Sequence, residues 1–202
     1  MHWESLLHRP SFDLRRSGRF VVAALLEPHV VLSTSARNGG VAENVRWLVN
    51  HQSCEGTGHT DRHDVITEAG MDGYHDTVCG EIGLPPRETV VMGTAANMNY
   101  VAVTSAADDE IEVTAAVTAG VEGNATAAGE PANWRETADG IQRVPAYAGT
   151  INTILLVNRP LTAAALARAV VTMTEGKSAG LQRLAVPSKL HVDLATGTGT
   201  DQ

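Results

Sequence analysis

The amino-acid sequence predicts a single domain of the α+β or mixed α/β class, with a mixed, partly antiparallel sheet and packed helices. Three observations lead to this prediction. The length of 202 residues suits one hydrophobic core. Short β-branched segments are interleaved with segments whose apolar residues repeat at helical spacing. Two consecutive segments in the middle of the chain have the pattern of an antiparallel pair. We therefore expect residues 1–202 to form one domain.

The first part of the chain is predicted to contain a hairpin followed by helices. Residues 19–34 form two β-branched stretches around a Glu-Pro pair, and proline interrupts a strand because it has no amide hydrogen. After the ARNGG turn, the apolar residues are spaced as in a helix that begins near Gly40. Residues 61–69 and 76–84 are also predicted to be helical.

From residue 88 onward the sequence predicts strands, a loop, a further strand and a helix. ETVVMG, NMNYVAVTSA and EIEVTAAVTAG have strand patterns, and the turn at 107–109 makes the last two an antiparallel pair. Residues 122–147, rich in small and polar residues, predict a long loop. Residues 149–158 have the apolar run of a central strand buried on both faces. Residues 161–184 predict one long helix.

Composition and charge argue against several classes of function. The formal net charge of -8 and the pI near 5.4 disfavour non-specific binding to nucleic acid, which depends on lysine and arginine. No apolar run has the length of a membrane span, and the N-terminal residues lack the order of a signal peptide. Two cysteines in a chain of this size fit a reducing compartment, so we expect a cytoplasmic protein.

The segment HQSCEGTGHTDRH, residues 51–63, concentrates side chains that can bind a metal or move a proton. Cys54, His59 and His63 are of the types that hold a divalent metal such as zinc, and His51 could be a fourth ligand. The same residues could instead serve catalysis or substrate contact without a metal. They could also form a polar loop shaped by its glycines. These three interpretations stay open from the residues alone.

Three glycine-rich stretches combine exposed backbone amides with hydroxyl or amide side chains, which suits the polar groups of a ligand. They are residues 36–40, 92–99 and 195–201, and none has the pattern of a phosphate-binding loop. Glu175 and Lys177 lie two positions apart on the predicted helix. They would therefore point about 200° apart, so that only one of them can face a ligand.

Six ordered motifs together form a more specific pattern than any one of them. They are RNGG (37–40), TAANMNY (94–100), VTAGVEGNA (117–125), GTINTILLVN (149–158), TEGKSAGLQ (174–182) and LATGTGTD (194–201). This set resembles the adenosylcobinamide amidohydrolases of corrinoid salvage over nearly the whole chain, and residues 50–64 look like part of a branch of that family. Relative to the family pattern, we expect a further strand after the last motif.

The resemblance implies an enzyme that hydrolyses the amide joining aminopropanol to the corrin ring of adenosylcobinamide, with this corrinoid as its small-molecule substrate. Such chemistry needs a polarised carbonyl, an activated water or nucleophile, and a proton for the leaving amine. The catalytic candidates are His51, Glu175, Lys177 and Asp201. The candidates for substrate binding are Asn38, Gly39, Gly40, Thr94, Asn97, Asn124, Asn152, Thr196 and Thr198.

Two further points remain alternatives. If a metal is used, Cys54, His59 and His63 would hold it and lower the pKa of a bound water. A threonine released by self-cleavage after Gly149 would be a different nucleophile. The same motifs would also suit a corrinoid-binding protein without catalysis, or an amidase that acts on another amide.

Overall fold

The computed structural model describes residues 1–53, 60–131, 134–137, 140–143 and 149–202, with the backbone alone for 60–69 and for the two segments between 134 and 143. In chain order the elements are β1 (Glu4–Arg9), β2 (Phe12–Ser17), β3 (Phe20–Ser33), β4 (Gly40–Gln52), α1 (Thr60–Ile82), β5 (Thr89–Thr94), β6 (Ala102–Asp108), β7 (Ile111–Ala119), β8 (Trp134–Thr137), β9 (Gly140–Arg143), β10 (Ile151–Val157) and α2 (Ala163–Arg183). The predicted α+β class with a mixed sheet is confirmed.

The described residues divide into two compact units. The first contains residues 1–118 and 152–159 together with Gln202, and the second contains residues 119–151 and 160–201. Each unit is made of segments that are separated in the sequence. The expectation of one domain over the whole chain stays a prediction.

The first unit is built on a five-stranded sheet in the order β1-β2-β3-β4-β5. Its neighbouring strands are antiparallel except for β4 and β5, which are parallel. One face of this sheet packs on the second half of α1 through Phe20, Val22, Tyr74, Val78 and Cys79. Because β4 lies between two other strands and is covered on this face, its side chains are buried over several consecutive residues.

The other face of the five-stranded sheet packs on a three-stranded sheet in the order β10-β7-β6. Leu14 and Val21 of the larger sheet share a buried cluster with Ala116, Ile154 and Leu156 of the smaller one. Full burial of one such aliphatic side chain stabilises the folded state by about 1.5 to 3 kcal/mol. The first unit therefore has a helix, a mixed sheet and a smaller sheet as three layers.

Two predictions for the first part of the chain are wrong. Residues 20–33 form one strand, not a hairpin, because an irregular register between Ala24 and Val31 accommodates the Glu-Pro pair as a bulge. Residues 40–52 form β4, not a helix. Burial on both faces of an inner strand removes the polar alternation and leaves an apolar run that resembles helical spacing. Strands β1 and β2 had no counterpart in the sequence prediction.

Predictions for the later part are mostly confirmed. Both predicted helical segments between 61 and 84 belong to α1, which is interrupted at Gly70 where φ is 68°. Strands β5, β6 and β7 and the antiparallel β6–β7 pair are as predicted. Strand β10 lies at the edge of its sheet in the described structure and is buried on one face, so the prediction of a central strand is wrong.

The second unit contains α2, the short hairpin of β8 and β9, and the loops that precede and follow them. The hairpin corrects the prediction of an uninterrupted loop over 122–147. Helix α2 begins where predicted, because the Thr162 side chain accepts a hydrogen bond from the amide of Ala165 at its first turn. Within the described residues, neither helix has the length and apolar character required to cross a membrane.

Candidate active site

An open cavity of about 510 Å³ lies within the second unit. Three segments that are distant in the sequence form its walls. They are the loop 126–131, the turn 196–199 with Asp201, and one face of α2 made of Thr174, Lys177 and Ser178. Four of the sequence-predicted site residues, Lys177, Asp201, Thr196 and Thr198, are therefore brought together here.

Backbone hydrogen bonds hold the loop and the turn against each other. The amide of Thr126 donates to the carbonyl of Gly197, and the amide of Thr196 donates to the carbonyl of Thr126, each at 2.9 Å. The Thr196 hydroxyl accepts a bond from the Ala128 amide at 2.8 Å. Ser178 connects α2 to the same turn by donating its hydroxyl to the Thr196 carbonyl at 3.2 Å. The cavity walls are thus fixed largely by main-chain contacts.

The carboxylate of Asp201 is the centre of the polar contacts in the cavity. Lys177 Nζ lies 2.5 Å from Asp201 Oδ2, and the amides of Thr198 and Ile151 donate to the same carboxylate at 3.2 and 3.0 Å. The Thr198 hydroxyl is a fourth donor. A carboxylate has about four lone-pair sites, so Asp201 has little remaining capacity to take a proton from substrate. The Asp201 carboxylate thus holds Lys177 Nζ and the turn together, and its catalytic role stays a prediction.

Lys177 presents the cationic group of this cavity. Its side chain is about one-fifth exposed, and its ammonium has three hydrogens, of which Asp201 takes one. Among the described side chains Asp201 is its one hydrogen-bond partner, which leaves the other hydrogens for an acceptor in the cavity. Glu175, two positions earlier on α2, is exposed and does not line the cavity. The two side chains therefore face different sides of the helix, as their spacing requires.

Close approaches explain the glycines beside these residues. A side chain at position 197 would overlap the Asp201 carboxylate and lie 3.1 Å from Lys177 Nζ. A side chain at position 149 would overlap Asn124 and the carbonyl of Gly120. Small residues at 149 and 197 are thus a packing requirement of the second unit.

Asn124 supports the second unit and is not directed at its cavity. Its side chain is 4% exposed, and its amide nitrogen donates to the carbonyl of Gly149. The neighbouring Thr150 hydroxyl donates to the carbonyl of Thr200 at 2.6 Å, and the Thr200 hydroxyl donates to the carbonyl of Gly149 at 3.0 Å. These bonds fasten the segment around Gly149 to the turn that carries Asp201.

Glu130 is a cavity residue that the sequence prediction missed. Its carboxylate accepts hydrogen bonds from the Ala127 amide at 2.7 Å and from the Ser188 hydroxyl at 2.7 and 2.8 Å. Desolvation acts to raise the pKa of Glu130, but these hydrogen bonds, together with nearby His191, outweigh it and lower the pKa below its ordinary value. The sequence feature that could have indicated Glu130 is its position as an acidic residue in a loop of small residues.

His51 lies in the buried cluster beneath α1 in the first unit. It is 1% exposed, its ring stacks on Phe20 with a centroid distance of 4.8 Å, and Nδ1 lies 2.7 Å from the hydroxyl of Tyr74. Burial of this kind is typical of a histidine that packs and hydrogen-bonds within a core. Its catalytic role stays a prediction.

The ARNGG stretch in the first unit forms a tight turn. Asn38 has a positive φ of 56°, and its amide nitrogen donates to the carbonyls of Pro86 and Thr89 at 2.9 and 2.7 Å. A side chain at Gly39 would overlap the Ser35 carbonyl, and Gly40 has a φ of 71°. These contacts give Asn38, Gly39 and Gly40 a structural part in the turn, and substrate contact by the three residues stays a prediction.

Asn152, Thr94 and Asn97 also have partners within the first unit. Asn152 is fully buried and donates its amide to Asn50 Oδ1 at 2.9 Å and to the Gly93 carbonyl at 3.1 Å. The Thr94 hydroxyl accepts from the Ala96 amide, and the exposed Asn97 side chain accepts from the Asn99 amide. Substrate contact by these three residues stays a prediction.

The proposed metal ligands fall largely outside the described residues. Cys54 and His59 belong to residues 54–59, and His63 is described in α1 by its backbone alone. Over the parts of the chain whose side chains are described, no three His, Cys, Asp or Glu side chains form a metal-binding group. The metal hypothesis for residues 51–63 therefore stays a prediction.

Comparison with known proteins identifies the family of this chain. Residues 4–202 match the family described as adenosylcobinamide amidohydrolase. The chain is 39% identical over 142 residues to an uncharacterized protein of Methanocaldococcus jannaschii, a match that covers 63% of this chain and 54% of the relative. The chain thus spans about half the length of that curated relative. No solved structure matches. The family match extends over nearly every residue, and the chain belongs to the adenosylcobinamide amidohydrolase family.

Proposed function

We propose that this chain hydrolyses the amide joining aminopropanol to the corrin ring of adenosylcobinamide, and that the cavity of the second unit is where the amide binds. Family membership supports an amidohydrolase-type activity. The observation that carries the choice of cavity is Lys177, held by Asp201 against a turn of Thr and Gly residues. Two of the family-like motifs, TEGKSAGLQ and LATGTGTD, meet at this point.

Lys177 supplies the polarisation that an amide requires. In the reaction, water oxygen bonds to the acyl carbon, the C–N bond breaks, and the products are a carboxylate and an ammonium. Negative charge develops on the carbonyl oxygen before the C–N bond breaks, and a fixed ammonium stabilises this charge in the transition state. Asp201 keeps the ammonium in place, because the Asp201 carboxylate is itself held by three other donors.

Thr196 is suited to hold a neighbouring amide of the substrate. Its hydroxyl oxygen accepts a bond from the Ala128 amide, which leaves the hydroxyl hydrogen for a carbonyl in the cavity. Thr198 differs, because its hydroxyl donates to Asp201. A corrinoid with several peripheral amides needs such partners, since a buried amide without a hydrogen bond is unfavourable.

Substitution of Lys177 tests the proposal most directly. Purified protein is incubated with adenosylcobinamide, and adenosylcobyric acid and aminopropanol are measured by mass spectrometry. We expect Lys177→Met to lower the rate of amide hydrolysis by at least roughly 100-fold, as for other losses of oxyanion stabilisation. The exposed Lys189 in the same unit provides a matched control, and Lys189→Met should retain the rate.

The same measurement separates the other interpretations. A spectral shift of the corrinoid without release of aminopropanol would support a binding protein. Hydrolysis of simple amides at the same efficiency as the corrinoid would support a different amidase. Near-normal turnover by Lys177→Met, with an unchanged melting temperature, would exclude the cavity as the site.

A further inference from the structure

Glu130 contributes to the cavity a carboxylate that has no ion-pair partner among the described residues, although His191 lies near enough to help lower its pKa. Glu130 lies on the loop 126–131 and belongs to the lining that also contains Lys177. The ammonium of Lys177 has Asp201 as its ion-pair partner. Within the described parts of the chain, no lysine, arginine or histidine forms an ion pair with Glu130 within 4.0 Å. The two carboxylates of the cavity are therefore not equivalent.

Neutral donors hold the Glu130 carboxylate in a fixed position. The Ala127 amide and the Ser188 hydroxyl supply two hydrogens between them, and Ser188 is itself buried. About four lone-pair sites exist on a carboxylate, so acceptor capacity remains for a ligand. Hydrogen bonds from neutral groups stabilise the charged form without cancelling its charge. The arrangement leaves an oriented anion at the wall of an open cavity.

Cleavage of an amide produces two groups of opposite charge. Water adds to the acyl carbon, the electron pair of the C–N bond leaves with nitrogen, and protons from water complete the amine. At neutral pH the products are a carboxylate and a primary ammonium. Among the described residues that line the cavity, Lys177 is the cationic one, and Glu130 is a carboxylate without an ion-pair partner within 4.0 Å. The charges of the cavity thus match those of the two products.

We propose that Glu130 recognises the amine half of the substrate, a short primary amino alcohol, while Lys177 faces the acyl half. This inference rests on the proposed amide hydrolysis and assigns a specificity role within the same cavity. Before cleavage, Glu130 accepts a hydrogen bond from the hydroxyl of the amino-alcohol arm. After cleavage, it binds the ammonium.

Direct binding of the free amine tests the role of Glu130 without requiring turnover. The probe is 1-amino-2-propanol, titrated at neutral pH into the full chain and followed by ligand-observed NMR. The uncharged analogue 1,2-propanediol is titrated in parallel. We expect the wild-type protein to bind the ammonium at least tenfold more tightly than the diol, and Glu130→Gln to remove that preference. Equal affinity of the wild-type protein for the two compounds would overturn the inference.

A matched control variant tests whether Glu130 itself attracts the amine. Glu122→Gln makes the same charge change at an exposed position of the second unit and should leave amine binding unchanged. A loss in Glu122→Gln equal to that in Glu130→Gln would mean that overall charge, and not Glu130, attracts the amine.

The amine-binding assay tests this inference, and the hydrolysis assay tests the proposed function, so either proposal can be overturned without the other. Amine binding that depends on Glu130, without any release of aminopropanol from adenosylcobinamide, would overturn the proposed function and leave an amine site. Normal hydrolysis with amine binding that is insensitive to Glu130→Gln would leave the proposed function and overturn this inference. The pair of assays therefore distinguishes the two proposals.

Discussion

The contact between Lys177 and Asp201 depends on the absence of a side chain at Gly197. The Lys177 ammonium reaches Asp201 across the turn at Gly197, and a methyl group at that position would overlap the Asp201 carboxylate. Backbone atoms surround this point, because the Thr126 amide bonds to the Gly197 carbonyl. The ion pair and the methyl group cannot both fit without movement of the turn.

A substitution of Gly197 should therefore lower the rate of amide hydrolysis without changing the stability of helix α2. We expect Gly197→Ala to displace Lys177 from Asp201 and to lower amide hydrolysis by at least about tenfold, since misplacement of a polarising group by about 1 Å can cost roughly 100-fold. Kinetics with adenosylcobinamide and a thermal unfolding curve provide the measurement.

The control for this substitution is another glycine in the second unit. Gly176 lies within α2 with open space around its Cα, so Gly176→Ala should leave the rate unchanged and stabilise the helix by about 0.5 to 1 kcal/mol. Full activity of Gly197→Ala would show that the Lys177–Asp201 contact tolerates a side chain at this turn.

Cys79 is the cysteine whose surroundings the structure describes. Cys79 lies fully buried beneath the sheet in the first unit, and desolvation raises the pKa of its thiol, partly offset by a hydrogen bond with Thr89. The thiolate is the reactive form, so a buried thiol with a raised pKa reacts slowly.

We expect Cys79 in a Cys54→Ser protein to resist Ellman's reagent at pH 8 and to react fully after denaturation. Because the substitution leaves Cys79 as the remaining cysteine, absorbance at the thiolate product reports this residue directly. Rapid labelling of the native protein would contradict the buried position.

Among the elements, strand β10 connects the core of the first unit to several polar contacts. Ile154 and Leu156 point into the cluster between the two sheets, while Asn152 donates to Asn50 and Gly93. Its side chains alternate between buried and partly exposed positions. The buried side chains on one face of β10 therefore stabilise this edge strand.

The contribution of this packing is measurable with one truncation. We expect Ile154→Ala to lower the free energy of unfolding by about 2 to 5 kcal/mol, the usual range for removing a large buried aliphatic side chain. Chemical denaturation monitored by circular dichroism gives the value.

Ile111 on the neighbouring strand β7 is the matched control, since it is 51% exposed. Ile111→Ala should change the free energy of unfolding by no more than about 0.5 kcal/mol, as for most surface substitutions. Similar losses for both variants would contradict the assignment of the core face of β10.

Element prediction from the sequence succeeded where the local pattern had a single explanation. Strands β5, β6 and β7 and helix α2 have regular spacing, clear turn residues or a cap, and these features depend on nearby residues. Strand β4 was mistaken for a helix because its burial is set by distant elements on both of its faces. Such tertiary effects override local propensity.

For the candidate site, composition and order of the motifs led to Lys177, Asp201, Thr196 and Thr198, which the fold places in one cavity. Glu130 was missed because loops have no periodic pattern that indicates which side chain faces a cavity. Asn38 was selected as part of the RNGG motif, and its amide stabilises a turn, so substrate contact by this residue stays a prediction. Residue type alone does not distinguish a ligand contact from a structural hydrogen bond.

At the scale of the whole molecule, the two units alternate along the sequence. Residues 152–159 belong to the first unit although residues 119–151 of the second unit precede them. A fragment that ends at residue 118 therefore lacks β10, including two members of the buried cluster. The first unit is not a contiguous piece of the chain.

We expect residues 1–118 to lack a cooperative unfolding transition, because the core between the two sheets would be incomplete. A fragment in which a short Gly/Ser linker joins residue 118 to residues 152–159 should restore it. The linker is feasible because the Gly120 amide donates to the Thr150 carbonyl at 2.9 Å, so the two ends lie close together. Differential scanning calorimetry compares the fragments, and a sharp transition for residues 1–118 would show that β10 is dispensable.

Strand β6 has an unpaired edge that bears on the aggregation of this protein. In the described structure it pairs with β7 alone, and six of its seven residues are exposed. It contains no lysine, proline or bulge, features that discourage unwanted pairing along a free strand, and its one charged residue is Asp108 at the strand end. Crowded or partly unfolded molecules therefore have an open edge here along which to pair, in a short segment remote in sequence from Lys177 and Asp201.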